Sequence, residues 1–195
     1  MNKQLPMLLF GCGGHARSCI EVIESEGKFR IVGLVGQVNE VGGEVLGYRV
    51  LGSDGDLDHL RKFAGHALVA VGQIKSPNVR MGLFNRLIAS GWRLPAIISP
   101  YAHVSSHATI GDGTVVMHGA VINAGARIGS NCIVNSQALI EHDCSVDDHC
   151  HIATGAILNG EVKVGAGSFI GSGVVVRQQT EFPRNCFVNM GRIVS

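Results

Sequence analysis

A six-residue apolar repeat constrains this chain more than any other feature of its sequence. From Val104 to Val194 every sixth residue is apolar, and no insertion interrupts the count. A helix repeats near 3.6 residues and a strand near 2, so a strict period of six fits neither alone. A hexapeptide repeat is typical of a parallel β-helix, in which each hexad forms one short strand and a turn. The anchor positions are Val104, Ile110, Val116, Ile122, Ile128, Val134, Ile140, Val146, Ile152, Leu158, Val164, Ile170, Val176, Phe182, Val188 and Val194.

The spacing also predicts how the coils stack. Three hexads make one triangular coil of 18 residues, so Ile122 is expected over Val104 and Ile140 over Ile122. The anchors should fill the interior of the prism, and each coil should bond only to its neighbours. An ordinary sandwich of alternating strands would not keep its apolar residues at every sixth position over so many repeats. The residue four places after an anchor is usually small, as a tight inward turn requires: Ala108, Thr114, Ala120, Ala126, Cys132, Ala138, Cys144, Cys150 and Ala156.

The first hundred residues have a different pattern, in which short apolar runs alternate with helical periodicity. Strands are predicted at 5–10, 31–35, 67–71 and 94–98, helices at 16–26, 54–63 and 77–90, and a glycine-rich loop at 36–47. This alternation indicates a small parallel α/β domain. The predicted organisation is a Rossmann-like α/β domain over residues 1–99, followed by a β-helix over residues 100–195.

A glycine loop, Gly11-Cys-Gly-Gly-His15, lies between the first predicted strand and helix. Backbone N–H groups and a helix N-terminus at such a place form an anion site suited to a pyrophosphate. The alternative is a tight turn with no ligand. A dinucleotide site would also need an acidic residue at the end of the second strand. The sequence there is Val35-Gly36-Gln37, which argues against NAD.

Composition excludes several classes of function. The formal net charge of +1 gives no basic footprint for nucleic acid. No apolar run reaches membrane length, and the apolar run near the N-terminus is too short for a signal peptide, so a cytoplasmic protein is expected.

Four cysteines stand four places after an anchor, at the small-residue position of the repeat, and should be buried: Cys132, Cys144, Cys150 and Cys186. Cys12 and Cys19 lack the paired spacing of a zinc site, so no metal is expected.

The order of these features resembles one family over nearly the whole chain. A strand, Gly-x-Gly-Gly-His-Ala, a short α/β domain and a hexapeptide prism together resemble the bacterial sugar acetyltransferases of surface-glycan synthesis. The resemblance implies a left-handed β-helix, acetyl-CoA as co-substrate, and a homotrimer with active sites between subunits. One branch N-acetylates nucleotide-linked amino sugars, and another O-acetylates sialic acids.

The resemblance also assigns a substrate site to the first domain. In the amino-sugar branch the glycine loop holds the nucleotide sugar, which points to Gly13, Gly14 and His15, and the loop after the third strand adds Gly72. That branch usually carries paired aspartates after the second strand, where this chain has Gly36-Gln37. Sialic acid therefore stays open as the alternative acceptor.

Acetyl transfer from a thioester needs a base for the acceptor and donors for the oxyanion. His142 titrates near neutral pH and could serve as the base, with Asp143 orienting its imidazole. A solvated turn is the alternative, but the resemblance assigns the base to His142 and the acidic helper to Asp143. Gly160 lies one coil beyond His142, where a backbone N–H could approach the thioester carbonyl. Asn135 is a weaker candidate for positioning His142.

His151 follows His142 by nine residues, which is half a coil, so the two side chains should lie on different faces of one subunit. The resemblance gives His151 a contact with acetyl-CoA, so the two histidines are expected to meet across a subunit boundary. The alternative is a surface imidazole on a turn. By position, the resemblance also points to Ser172 and Met190 as contacts with CoA. Four cations either meet CoA phosphates or are plain solvated charges: Lys163, Arg177, Arg184 and Arg192.

The preferred function is acetyl-CoA-dependent N-acetylation of a nucleotide-linked amino sugar. Sialic acid O-acetylation is the alternative, followed by a non-catalytic scaffold, against which His142, Asp143 and Gly160 count. A γ-type carbonic anhydrase shares this kind of prism but needs zinc histidines in register. His142, His149 and His151 are too close in sequence for that. Four histidines of the prism are expected on its surface or turns: His103, His107, His118 and His149.

Overall fold

The computed structural model describes residues 4–195, which divide into two compact units. The first unit extends to Gly72 and also contains Val79–Pro95, and the second contains Gln73–Asn78 and Ala96–Ser195. The short segment Gln73–Asn78 thus belongs with the second unit, although it lies within the first hundred residues. No helix among residues 4–195 is long and apolar enough to cross a membrane.

The first unit is built on a five-stranded sheet with the order β3-β4-β2-β1-β5. All neighbouring strands are parallel except β3 and β4. The helices and strands are β1 (Leu5–Phe10), α1 (Gly14–Glu26), β2 (Phe29–Gly36), a 3-10 turn (Val38–Glu40), β3 (Glu44–Val45), β4 (Tyr48–Ser53), α2 (Leu57–Leu60), β5 (His66–Val69) and α3 (Asn78–Ala89).

Strand β1 and helix α1 show how the sequence forms this unit. β1 has a partner strand on each side, and its last four residues are buried, which matches its continuous apolar run. Helix α1 buries Cys19, Ile20 and Ile23. It ends at Gly27, whose φ of 71° is left-handed and whose N–H donates to the carbonyl of Ile23. The resulting β1–α1–β2 unit confirms the predicted α/β class.

Four details of the predicted first unit are wrong. The loop predicted at 36–47 contains the 3-10 turn and strand β3. Strand β4 was missed, although its buried residues alternate with less buried ones, as expected of a half-covered strand. The helix predicted at 54–63 is only the four-residue α2, since its N-cap Asp56 makes no side-chain cap and residues 61–63 continue as turns. The strand predicted at 94–98 is only Ile97–Ile98, and it belongs to the prism, where Ile98 precedes Val104 by one hexad.

The second unit is a left-handed parallel β-helix, as predicted, with three faces of stacked two-residue strands. Face one contains Ile97–Ile98 (β6), Val115–Val116 (β9), Ile133–Val134 (β12), His151–Ile152 (β15), Phe169–Ile170 (β18) and Phe187–Val188 (β21). Face two contains His103–Val104 (β7), Val121–Ile122 (β10), Leu139–Ile140 (β13), Ile157–Leu158 (β16), Val175–Val176 (β19) and Ile193–Val194 (β22). Face three contains Thr109–Ile110 (β8), Arg127–Ile128 (β11), Ser145–Val146 (β14), Lys163–Val164 (β17) and Glu181–Phe182 (β20).

The register confirms the predicted coil of 18 residues. Ile122 pairs with Val104 on one side and with Ile140 on the other. The anchors and the small residues that follow them form one core, in which Ile122, Ile140 and Leu158 are fully buried. Cys132, Cys144 and Cys150 are also buried in this core, whereas Cys186 is only partly buried.

A left-handed backbone position marks every turn of the prism from 113 to 191. It is the third residue after each anchor, and it has positive φ whether or not it is glycine. Non-glycine residues there are Asn131, Gln137, Asp143, His149, Glu161, Gln179 and Asn185. The turn geometry therefore fixes where the side chain of Asp143 begins, since L residues occupy this conformation only where the surrounding structure imposes it.

Candidate active site

The glycine loop joins the buried end of β1 to helix α1. Gly11 has a φ of 131°, and a Cβ at this position would lie 2.8 Å from the carbonyl carbon and oxygen of Ala70. The backbone here passes too close to the strand end for any other residue. Gly11 is therefore required by the fold.

Gly13 and Gly14 differ from Gly11. A Cβ on either would meet nothing within 4 Å, and neither has a positive φ. Gly13 is the N-cap of α1 but supplies no side-chain cap, and the first turn carries no acidic residue. The positive end of the helix dipole is therefore uncompensated at this terminus, as suits an anion. Packing does not explain these two glycines, and the open space beside them leaves room for a ligand to approach the backbone.

The remaining predicted substrate residues lie beside this loop. Gly72 follows β5, and a Cβ placed on it would lie 3.4 Å from Cβ of His15 on α1. His15 is partly buried. Gly13, Gly14, His15 and Gly72 therefore gather at the carboxyl ends of β1 and β5, where parallel sheets bind their ligands.

No acidic residue stands at the end of β2 itself, but the side chain of Glu40 reaches this place. Its Oε2 accepts the backbone N–H of Gln37 at 2.7 Å, within a capping box of the 3-10 turn. A Cβ on Gly36 would lie 2.6 Å from this Oε2 and 2.7 Å from Sγ of Cys12, so both side chains border the same space. The sequence signal was the Gln-x-x-Glu spacing of a capping box, which was not recognised in the glycine-rich loop.

In the second unit, His142 lies at the corner between faces two and three, two residues after the end of β13. Its Nδ1 lies 2.9 Å from Oδ2 of Asp143. Asp143 has the left-handed φ of 59°, and its N–H donates to the carbonyl of Ala124 at 3.0 Å. The His142 and Asp143 side chains are 59% and 64% exposed. The pair is thus accessible to a substrate, while the coil below fixes its backbone.

This geometry determines the chemistry of the imidazole. A carboxylate only accepts, so neutral His142 carries its proton on Nδ1, and its Nε2 lone pair is available as a base. The hydrogen bond to Asp143 raises the pKa of His142, and the charges of Asp143, Glu141 and Glu161 raise it further. Desolvation opposes the shift. His142 is therefore a stronger base than an isolated histidine.

Gly160 lies against the reactive side of His142. A Cβ on Gly160 would be 2.7 Å from both Cε1 and Nε2 of the imidazole. Its carbonyl accepts the N–H of Gln179 at 2.9 Å, and among residues 4–195 its own N–H makes no backbone hydrogen bond. A cavity of about 350 Å³ lies on the next coil, lined by Asn159, Arg177, Gln178 and Gln179. The predicted His142, Asp143 and Gly160 therefore come together beside open space.

Comparison with known proteins adds two family models and several solved structures. The PglD N-terminal domain matches residues 6–87, and the bacterial transferase hexapeptide (six repeats) matches residues 107–142. The acetyltransferase domain of PglB from Neisseria gonorrhoeae FA1090 is 32% identical with a TM-score of 0.88, over 97% of this chain and 91% of that chain. The same domain in complex with acetyl coenzyme A is 31% identical with a TM-score of 0.86, over 98% and 93%.

A third structure is a variant of perosamine N-acetyltransferase from Caulobacter crescentus, in complex with CoA and GDP-perosamine. It is 30% identical with a TM-score of 0.91, over 100% of this chain and 90% of that chain. The chain belongs to the hexapeptide-repeat sugar acetyltransferases. Membership confirms the predicted acetyltransferase class. Among curated protein sequences, no match to this acetyltransferase is found.

His151 of the acetyltransferase lies on face one and is 8% exposed, not on a turn. Its Nδ1 lies 2.6 Å from the carbonyl of Gln73, and its Nε2 lies 3.1 Å from Nδ2 of Asn135. Oδ1 of Asn135 accepts the N–H of Ser136, so the amide group can only donate toward His151. His151 is thus held with its proton on Nδ1. Asn135, expected beside His142, contacts His151 instead within the chain.

The predicted CoA residues of the acetyltransferase lie on another corner. Ser172 and Met190 are one coil apart after face one, and both are exposed, Met190 by 76%. Within one chain they are therefore on a different corner from His142. Lys163 pairs with Glu181 at 2.7 Å, whereas Arg177 lines the cavity beyond Gly160. Among residues 4–195 no group of three or more histidine, cysteine or acidic side chains could hold a metal ion.

Proposed function

We propose that this acetyltransferase transfers the acetyl group of acetyl-CoA to the amine of a nucleotide-linked amino sugar in bacterial surface-glycan biosynthesis, in the cytoplasm. The observation that carries the proposal is the exposed His142, bonded through Nδ1 to Asp143 and placed against Gly160. The relatives solved with acetyl coenzyme A, and with CoA and GDP-perosamine, support this donor and this class of acceptor.

In the proposed reaction the acceptor nitrogen attacks the thioester carbonyl. A C–N bond forms, the C–S bond breaks, and Nε2 of His142 takes the proton that the nitrogen loses. The imidazolium then returns this proton to the departing CoA thiolate, which leaves as the thiol. The N–H of Gly160 stabilises the oxyanion. Each step uses a group that the corner presents, and no covalent enzyme intermediate is needed.

The charges around His142 favour an amino sugar over sialic acid. Glu141, Asp143 and Glu161 all act on His142 as negative charges, which shows that the corner is acidic. The ring of an amino sugar brings a neutral or positive nitrogen to this corner, whereas the ring of sialic acid carries a carboxylate that these groups repel. The negative charges of a nucleotide-linked sugar lie on its pyrophosphate and not on the sugar ring. In the first unit, Gly13, Gly14, His15 and Gly72 would hold the nucleotide part of the acceptor.

The test of acceptor class is thiol release from acetyl-CoA with a panel of UDP-, GDP- and dTDP-linked amino sugars beside free sialic acid. The proposal predicts turnover with at least one nucleotide-linked amino sugar and none with sialic acid. Turnover with sialic acid alone would assign the enzyme to the O-acetylating branch. CoA binding without turnover of any acceptor would contradict the proposed acceptor class.

The proposed assembly is a homotrimer whose active sites combine His142 of one subunit with His151, Ser172 and Met190 of its neighbour. It is supported by their placement on different faces and corners of one prism. It is also supported by apolar side chains exposed at the last coils, Phe187 by 47% and Ile193 by 81%.

Mixed assemblies test this arrangement. His142→Ala and His151→Ala chains with different affinity tags are co-expressed, and trimers carrying both tags are isolated. Each mixed ring of three contains one site with both histidines, so we expect about one third of normal activity from two inactive parents. Activity no higher than that of the parents would contradict the shared site, provided that each variant keeps its thermal unfolding midpoint.

A further inference from the structure

The carboxylate of Glu40 lies at the end of β2, beside the glycine loop of the first unit. It folds back from the 3-10 turn to the end of β2, beside the space next to Gly36 that Cys12 of the glycine loop also borders. Burial and the negative charge of Glu40 raise the pKa of the Cys12 thiol to about 11, so the two groups are electrostatically close. Strands β1 and β2 are parallel neighbours, so Glu40 and the glycine loop share one edge of the sheet.

Capping the 3-10 turn uses only one of the two carboxylate oxygens of Glu40. Oε2 accepts the N–H of Gln37, and among residues 4–195 Oε1 accepts no hydrogen bond. The turn has three residues and buries none of them, so it contributes little to the core. The carboxylate therefore has an acceptor oxygen left for a ligand that lies across the carboxyl ends of the strands.

Gly36 is the residue that makes room for this arrangement. Its φ is not positive, so the backbone does not require glycine here. A Cβ would instead collide with the ends of two side chains, Glu40 and Cys12. Glycine at this position lets the carboxylate settle at the end of β2.

We propose that Glu40 is a specificity residue that binds the 2′-hydroxyl of the ribose in the acceptor nucleotide, which makes the enzyme selective for ribonucleotide-linked sugars. The proposal rests on the proposed function, since it assumes a nucleotide on the glycine loop. In sheets of this kind, a pyrophosphate at the first helix places its ribose over the end of the second strand, where a carboxylate accepts from the hydroxyl. Glu40 supplies that carboxylate from four residues beyond the strand end.

Binding of UDP and 2′-deoxy-UDP, and of GDP and 2′-deoxy-GDP, tests the proposal by calorimetry without any need for turnover. The unaltered protein should bind the better ribonucleotide about tenfold more tightly than its deoxy form, as loss of a hydrogen bond to a charged group implies. Glu40→Gln keeps an oxygen for the cap but removes the charge, and should bind both forms with nearly equal, weaker affinity. Gly36→Ala, which displaces the carboxylate, should behave similarly.

The exposed Glu44 lies on the same stretch of chain, so Glu44→Gln is the matched control and should keep the full preference for the ribonucleotide. An equal ribose preference in the unaltered protein and in Glu40→Gln would overturn the role of Glu40. If amino sugars linked to these nucleotides are acetylated, that result leaves the proposed function intact. If neither nucleotide binds and none of the sugars is acetylated, the proposed function fails, and the role of Glu40 fails with it.

Discussion

Replacing His142 with alanine should lower kcat for acetyl transfer by about 10²- to 10⁴-fold, the contribution usual for a general base. The side chain is 59% exposed and packs into no core, so folding should be unchanged. Thiol release from acetyl-CoA, measured at saturating acceptor, gives the effect. His107→Ala is the matched control, since His107 is an exposed histidine on another turn of the same prism. Normal turnover by His142→Ala would exclude this residue as the base.

The pH dependence separates the charge of Asp143 from the presence of the imidazole. Because Asp143 raises the pKa of His142, the base becomes protonated and inactive at a higher pH than a free histidine would. The ratio kcat/KM should therefore fall as pH falls through this raised pKa. Asp143→Asn removes the charge but tolerates the left-handed backbone, so the acidic limb should move to lower pH and the maximal rate should drop. A limb that stays in place would belong to the acceptor amine and not to His142.

Replacing Gly160 with alanine should lower kcat by about 100-fold while His142 and Asp143 stay in the chain, because misplacing a reacting group by about 1 Å has an effect of this size. The added methyl group would lie 2.7 Å from Nε2 of His142, and the exposed ring can only swing away. The φ of Gly160 is not positive, so the backbone should accept alanine without strain. Turnover and thermal unfolding are measured together, and only turnover should change.

Gly82→Ala is the matched control for this substitution. A Cβ on Gly82 meets nothing within 4 Å, and the position is exposed on α3, so turnover should be normal and the unfolding midpoint should be unchanged or slightly higher, since alanine favours a helix over glycine. A Gly160→Ala protein with unchanged kcat would show that the position of the imidazole against Gly160 has no part in catalysis. A lowered unfolding midpoint in that variant would instead indicate a structural effect.

The hexad period alone predicted the prism, its coil length and its core, because every anchor faces one narrow interior. It also placed His142, Asp143 and Gly160 together, since residues 18 apart must stack. The period could not show that the repeat begins one hexad earlier, at Ile98, because Pro95 and the apolar residues around it resembled the end of an α/β strand.

The hexapeptide repeat could not predict contacts between segments that lie far apart in the sequence. The carbonyl of Gln73 contacts His151 across 78 residues, so the buried setting of this histidine could not be inferred from its phase in the repeat. Glu40 was missed for a related reason. The acid was sought at the strand end itself, and the chain brings it back there through a short turn. The contact of His151 and the placement of Glu40 both depend on the direction of a side chain, which the period of the sequence does not specify.

The nature of the bond that the enzyme forms distinguishes N-acetylation from O-acetylation. The product of acetyl-CoA and the preferred nucleotide-linked amino sugar is treated with alkaline hydroxylamine, which cleaves acetyl esters and leaves amides intact. Mass spectrometry then shows whether the acetyl group remains on the nucleotide sugar. We expect the acetyl group to remain, as an amide formed in a reaction that His142→Ala slows strongly. Complete loss of the acetyl group would show transfer to a hydroxyl and would contradict N-acetylation.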